Sequence, residues 1–256
     1  PEPGELRQMM YRSIAHGADS FVHFRWRTCR FGSEEYWGGI LDHDNVPRKR
    51  YRELCQEGAE LKRIGPEILG TSVQIEAAIA YGDSDATDAH STLTMGILRE
   101  NKIGEVPHGE LFQQGIAVGC SHPADDLSGL KLYVIPHWAY FDPAWVAPLQ
   151  TFVEDGGVLV VGARTATRDV NNNVVAETIP GCLRDLCGIT VESYGKQNNT
   201  TARPLAFAID GGEPVLSEHW YEEIKADAGT QVVAQWQTRH LKGTPAVTRH
   251  AVGKGA

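Results

Sequence analysis

Apolar residues recur with helical spacing at Leu6, Met9, Met10 and Ile14, and the run stops at Gly17, which accepts a left-handed backbone at little cost. Ser20 to Arg27 (SFVHFRWR) is aromatic and β-branched enough to predict a strand. A long loop follows from Thr28 to Asn45, of the kind that usually carries function. Pro47 opens a second predicted helix, with Tyr51, Leu54, Cys55, Ala59 and Leu61 roughly on one face and Gly65-Pro66 ending it.

Beyond a boundary near Gly65 to Ser72 the rhythm changes. Ile75–Tyr81, Gly115–Gly119 and Lys131–Pro136 are candidate strands, and a helix is expected around Ala89 to Glu100. Asp142-Pro143 reads as an N-cap with proline at the first helical position, and Trp145, Leu149, Phe152 and Val153 mark the inner face of the helix it starts. Gly156-Gly157 closes that helix, and VLVVG (Val158–Gly162) reads as a central strand. Gly181 to Cys187 is a short helix ending at Gly188. Continuous apolar strands alternating with helices predict an α/β fold with a parallel sheet covered on both faces. No internal repeat or low-complexity tract interrupts the 256 residues.

Composition narrows the function. Hydrophobic residues make up 41% and charged residues 22%, as in ordinary globular domains. A formal net charge of −9 gives no electrostatic reason to seek nucleic acid or an anionic membrane, so neither is expected as a partner. No apolar run approaches the roughly 18 residues of a membrane span, and no signal-peptide pattern is visible. The five cysteines, Cys29, Cys55, Cys120, Cys182 and Cys187, have scattered spacings that argue against a disulfide framework. A reducing, cytoplasmic location is therefore expected.

Two stretches carry a resemblance. Ser13 to Leu61, with SIAHGADSFVHFRWR, FGSEEYWGGILDHDNVPRKRYRE and EGAEL, resembles the eighth strand, active-site loop and eighth helix of the barrel in glycoside hydrolase family 42. Asp126 to Asn172 (DLSGLKLYVIPHWAYFDPAWVAPLQTFVEDGGVLVVGARTATRDVNN) resembles that family's β-galactosidase trimerisation domain, which is similar to class I glutamine amidotransferases and flavodoxin-like proteins. The resemblance implies residues 1–66 as the end fragment of a (β/α)8 barrel, then residues 67–256 as a doubly wound, amidotransferase-like trimerisation domain. It implies a parent that is a retaining β-galactosidase acting on terminal β-D-galactosides as a homotrimer, in which a neighbouring subunit helps wall the active site. Retention needs two carboxyl groups about 5 Å apart. The resemblance places both catalytic glutamates upstream of Pro1, so no catalytic residue is expected here and the isolated chain should be inactive. The family's small C-terminal β domain is expected to lie beyond this chain.

The resemblance implies substrate-binding residues in the loop. Glu34 aligns with a glutamate that contacts galactose hydroxyls, a task suited to a carboxylate because it accepts two hydrogen bonds; from spacing alone it is a solvated loop acid. The family places a histidine three or four residues later, where this chain has Trp37 and Gly38. Either Trp37 stacks on a sugar face, or substrate preference departs from plain galactosides; Trp37 also suits ordinary packing. His43-Asp44 matches the family's HD pair and also suits an Asp-based turn before the helix. Arg25, at the strand's end, could orient catalytic carboxylates or form a structural ion pair. Strand alternation would send Arg25 and Arg27 to one side and Trp26 to the other.

In the second region, amidotransferase chemistry would need a thiol at the elbow after VLVVG, where Ala163-Arg164-Thr165 stands instead. Cys120 follows a different strand. GGVLVVGA lacks the order of a nucleotide-binding glycine loop. Asn198 to Thr201 contains sequons that read as loop residues. His108, Asp83 and Asp85 form no recognisable metal set, and neither metal nor cofactor is expected. Two other readings stand beside the enzyme: a non-catalytic oligomerisation module, and a free-standing flavodoxin-like domain binding a ligand at the sheet's switch point.

Overall fold

The computed structural model describes residues 2–91, 100–197, 205–209, 211–217 and 219–256, which divide into two compact units, Pro1–Gln74 and Ile75–Ala256. Each is taken by itself.

In the first unit, helix α1 (Glu5–Ala15) is lashed to helix α2 (Lys49–Ile68) by polar side chains. Arg7 Nε and the Tyr11 hydroxyl both donate to Glu60 Oε2 at 2.8 Å, and Gly4 N donates to Glu53 Oε1 at 2.7 Å. The Tyr11 hydroxyl is the main reason the Glu60 carboxyl titrates below its ordinary range. Gly17 takes φ 91°, as its place after α1 requires. Two expectations fail here. Helix α2 does not stop at Gly65-Pro66 but runs to Ile68 with Pro66 inside it. A proline so near the end costs one intrahelical bond, and Leu69 N still closes the turn on Gly65 O at 2.8 Å. Ser20–Arg27 forms no strand; its only ladder contact is a single bridge from Arg27 to Leu41. Its strand-favouring composition has no neighbouring strand to pair with among the described residues, and Val22 is left 94% exposed.

The second unit is α/β. Strands β1 (Ala77–Ala80), β2 (Val118–Ser121), β3 (Leu132–Ile135) and β4 (Val158–Val161) form a parallel sheet in the order β2-β1-β3-β4. Helices α3 (Ser84–Ser91), α4 (Glu100–Gln113) and α5 (Val146–Glu154) lie between the strands in sequence. The helix expected over Ala89 to Glu100 falls mostly on residues outside the described set, as do the Asn198–Thr201 sequons. Strand β2 starts three residues later than Gly115, the expected start. Asp142 caps as expected, its Oδ1 accepting from Ala144 N at 2.9 Å, although a short 3₁₀ turn precedes α5.

The core sits on one face of this sheet, where Tyr133, Ile135, Trp138, Phe141, Leu149 and Leu183 are buried. β1 is buried at every residue and is the truly central strand together with β3. VLVVG is not central. It is the edge of the four, with Leu159 and Val161 packed on the core while Val158 and Val160 are 42% and 45% exposed. A continuous apolar run signals burial on both faces only where something covers both, and periodicity cannot supply that. At the end of β4, a Cβ on Gly162 would collide with the Pro136 carbonyl, so only glycine permits this approach of β4 to β3.

Residues beyond α6 (Arg184–Cys187) build antiparallel structure on which the sequence reading was silent. β5 (Ile189–Lys196) pairs with β8 (Trp220–Ala226). β6 (Ala206–Ile209), β7 (Val215–Leu216), β9 (Gln231–Trp236) and β10 (Pro245–Arg249) form a sheet in the order β10-β9-β6-β7. Leu205, Trp236 and Leu241 make its small buried cluster.

Candidate functional site

The loop of the first unit is closed at its neck by the backbone. Ile40 N donates to Arg25 O at 2.7 Å, Leu41 N to Trp26 O at 2.8 Å and Thr28 N to Leu41 O at 3.0 Å. The buried Thr28 hydroxyl joins both sides, accepting from Gly39 N at 2.9 Å and donating to Leu41 O at 3.2 Å. A Cβ on Gly39 would lie 2.8 Å from Arg27 C and Thr28 N, so the closure demands glycine there.

Inside this closed loop the structure brings together two of the four expected residues. The Arg25 guanidinium donates to Glu34 Oε2 while lying 4.5 Å over the Phe24 ring. Arg25 is the more covered partner, and Glu34 keeps 42% of its side chain exposed. The carboxylate is thus held on one side and open on the other. Trp37 stands a turn away, its backbone N–H donating to Glu34 O at 3.0 Å and the residue 59% exposed. Trp26 points elsewhere, edge-on to Tyr51 at 6.2 Å.

His43 meets the two residues that follow Glu34. Its Nε2 is 2.6 Å from the Glu35 carbonyl, which can only accept, so that nitrogen carries the proton; its ring meets Tyr36 edge-on at 6.2 Å. Asp44 serves the turn: its Oδ1 accepts from Val46 N at 3.3 Å and from Arg48 Nη1 at 2.7 Å. The Arg48 bond chiefly brings the Asp44 carboxyl down to about 2. Arg50 donates to Asp42 and passes so close to Gly38 that a side chain there would strike it. This latch of loop to α2 went unread in the sequence, although the Gly38-Gly39 pair was a visible sign of close backbone approach.

In the second unit, the carboxyl ends of the strands are where a parallel sheet would hold a ligand. Here they are filled. His122, after β2, accepts from Ala124 N through Nδ1 at 3.1 Å, so its Nε2 carries the proton that bonds Asp83 Oδ2 at 3.0 Å. Asp83, after β1, also accepts from Ala86 N at 2.6 Å and so starts α3. His122 abuts Trp145 at 4.8 Å and Trp138 at 5.8 Å. His90 accepts from Tyr140 N at 3.2 Å and stacks on His137 at 5.7 Å. These histidines hold the packing together, and the aromatic rings occupy the crevice.

The elbow after β4 does have the left-handed geometry of a strained turn, with Arg164 at φ 64°. Its backbone N donates to Glu222 Oε1 at 2.8 Å and its guanidinium lies 4.7 Å over Trp220. Burial pushes the Glu222 carboxyl up. The side chain at the elbow is a cation and no nucleophile. All five cysteines are free thiols, and burial raises Cys187 to about 12. Among the described residues no three His, Cys, Asp or Glu side chains gather closely enough to hold a metal ion, and no helix is long and apolar enough to cross a membrane.

Comparison with known proteins gives two family matches in chain order. The model described as β-galactosidase matches residues 1–64, and the one described as β-galactosidase trimerisation domain matches residues 98–256. A β-galactosidase of Geobacillus is 32% identical over 99% of the chain. Among solved structures, a β-galactosidase from the haloarchaeon Halorubrum lacusprofundi superposes with a TM-score of 0.85 at 26% identity, covering 100% of this chain and 37% of its own. One from Bacillus circulans reaches a TM-score of 0.90 at 24% identity, covering 99% of this chain and 38% of its own. The chain spans 37% of the length of the Geobacillus relative.

Proposed function

This chain belongs to the β-galactosidases of glycoside hydrolase family 42, and from that premise we propose that it serves a longer protein that hydrolyses terminal β-D-galactosides with retention. In this reading the first unit is the end of a (β/α)8 barrel, and its loop lies at the carboxyl-end mouth where such barrels keep their active sites. The second unit is a doubly wound, flavodoxin-like domain that assembles a homotrimer. The two catalytic glutamates lie outside this chain.

The observation that carries the substrate role is the Arg25–Glu34 contact. The guanidinium fixes the carboxylate, and the uncovered side is free to accept from two neighbouring sugar hydroxyls. The exposed Trp37, three residues on in the same loop, offers an apolar platform for a sugar face, in place of the histidine usual in the family. His43 and Asp44 shape the turn behind the loop. The filled switch point speaks against the free-standing ligand-binding domain. Five free thiols suit a reducing cytoplasm.

The test is Glu34→Gln in the full-length protein, assayed on an aryl β-galactoside. Two bonds to a charged acceptor are weakened, each worth about 1.5–3 kcal/mol, so kcat/KM should fall at least about 100-fold. Unchanged kinetics would remove Glu34 from the sugar site. Light scattering of the same protein should give a trimer; a monomer would end the assembly reading.

A further inference from the structure

The loop tip, Glu34 to Gly38, has weak holds of its own. Its internal backbone bonds are single turns, Glu35 N to Gly32 O at 3.4 Å and Trp37 N to Glu34 O at 3.0 Å. Tyr36 and Trp37 are 84% and 59% exposed. Three side chains fix the tip from outside it. Arg25 grips the Glu34 carboxylate, and His43 Nε2 donates to the Glu35 carbonyl at 2.6 Å. The third is Arg50, whose guanidinium reaches from α2 to Gly38.

Arg50 is itself braced. Its Nη2 donates to Asp42, Asp42 also lies 3.6 Å from Arg48 Nη1, and that same Nη1 donates to Asp44 Oδ1 at 2.7 Å. Opposite charges alternate along this row, and a network of this kind holds a side chain more firmly than one exposed pair does. The guanidinium is planar, so with Nη2 committed to Asp42, Nη1 is aimed at Gly38. A Cβ on residue 38 would strike Nη1, and only glycine lets the two meet. We infer that Arg50 is a positioning residue for the sugar site. By bracing Gly38 it sets where the adjoining Trp37 stands and, through the turn bond, where Glu34 stands. It thereby governs how tightly the sugar is held without touching it.

The inference rests on the reading of Glu34 and Trp37 as sugar contacts. A displaced binding loop shows in KM, whereas a loss of stability alone lowers the active fraction and shows in kcat. In the full-length protein, Arg50→Ala should raise KM for an aryl β-galactoside and Ki for galactose about 10-fold each, with kcat within about twofold. A fall in kcat alone overturns the inference. Arg50→Lys keeps a charge for Asp42 but has no second arm for residue 38, so most of the defect should remain; full rescue by lysine assigns Arg50 to charge alone and overturns it. Gly38→Ala pushes the guanidinium aside and should reproduce the loss, and the double variant should be no worse than Arg50→Ala. Losses that multiply sink the pairing of Arg50 with Gly38. Hydrogen exchange reads the positioning without substrate: in Arg50→Ala the Trp37 amide should exchange faster while the Leu41 amide, at the neck, keeps its rate. An unchanged Trp37 amide overturns the inference, as does faster exchange with KM unmoved where Glu34→Gln is impaired. Normal kinetics in Glu34→Gln would instead strike the sugar-site reading itself, and this inference with it.

Discussion

Trp138 is 1% exposed and Trp37 is 59% exposed, and the difference between these two indoles is the difference between the units that hold them. Trp138 follows β3 and is surrounded by Trp145, His122 and the buried face of a sheet. Trp37 sits on a loop whose order comes from backbone bonds at its neck and ion pairs at its base. The second unit converts apolar sequence into a closed core. The first uses polar contacts to hold a shape and leaves apolar side chains such as Phe24, Trp26 and Phe31 at the surface. Its helices line a groove of about 680 Å³ that includes Met10, Ile14, Leu54 and Leu61.

This contrast can be broken in three places. The largest effect belongs to Leu149→Ala, which removes a fully buried side chain from the core of the second unit. It should cost about 2–5 kcal/mol, read as a lower denaturation midpoint of the sheet domain. Leu54→Ala in this chain should cost less, about 1 kcal/mol, because Leu54 is only partly buried and lines an open groove; a loss as large as that of Leu149 would show the first unit to have a closed core after all. Gly39→Ala comes next. It presses a methyl onto the Arg27–Thr28 backbone and should cost about 1–3 kcal/mol, concentrated in the loop. The Trp37 emission and the amides of residues 39–41 should respond while those of β1 and β3 do not.

The smallest effect is on pH. The Asp44 carboxyl is lowered from 3.8 to about 2 when folded. A depressed acid contributes its stabilisation above its unfolded value and loses it as pH falls through the folded value. The turn before α2 should therefore loosen between about pH 4 and pH 2, seen as faster exchange of the Val46 amide. Asp44→Asn should abolish that pH step, and a step that survives the substitution would assign it to another group.

Much of the second unit was readable because its signals are local. Asp142-Pro143 fixes a helix start and Gly188 a helix stop by backbone chemistry alone, and KLYVIP is apolar enough to be buried in any arrangement. What could not be read is relational. VLVVG has the composition of a central strand, and only the order of the sheet shows it to be the edge. SFVHFRWR has the composition of a strand, and only the lack of a pairing neighbour among the described residues keeps it from being one. A structural ion pair was among the alternatives for Arg25, but its partner Glu34 was not foreseen, because their meeting depends on Thr28 and Gly39, whose roles exist only once the loop has closed. The antiparallel strands from Ile189 onward mix exposed and half-buried residues on both faces, so alternation gives little signal.

The neck formed by Thr28, Gly39 and Leu41 also bears on how such a loop could change over time. Its two ends are bonded to each other, so residues 29–38 hang from the fold like a cartridge from a fixed socket. Lengthening a loop whose ends are already joined costs little, about 0.6 kcal/mol per doubling. The tip that carries Glu34 and Trp37 is thus free to diversify while the frame behind it stays still, and under the proposed function transplanting those ten or so residues between relatives should alter sugar preference.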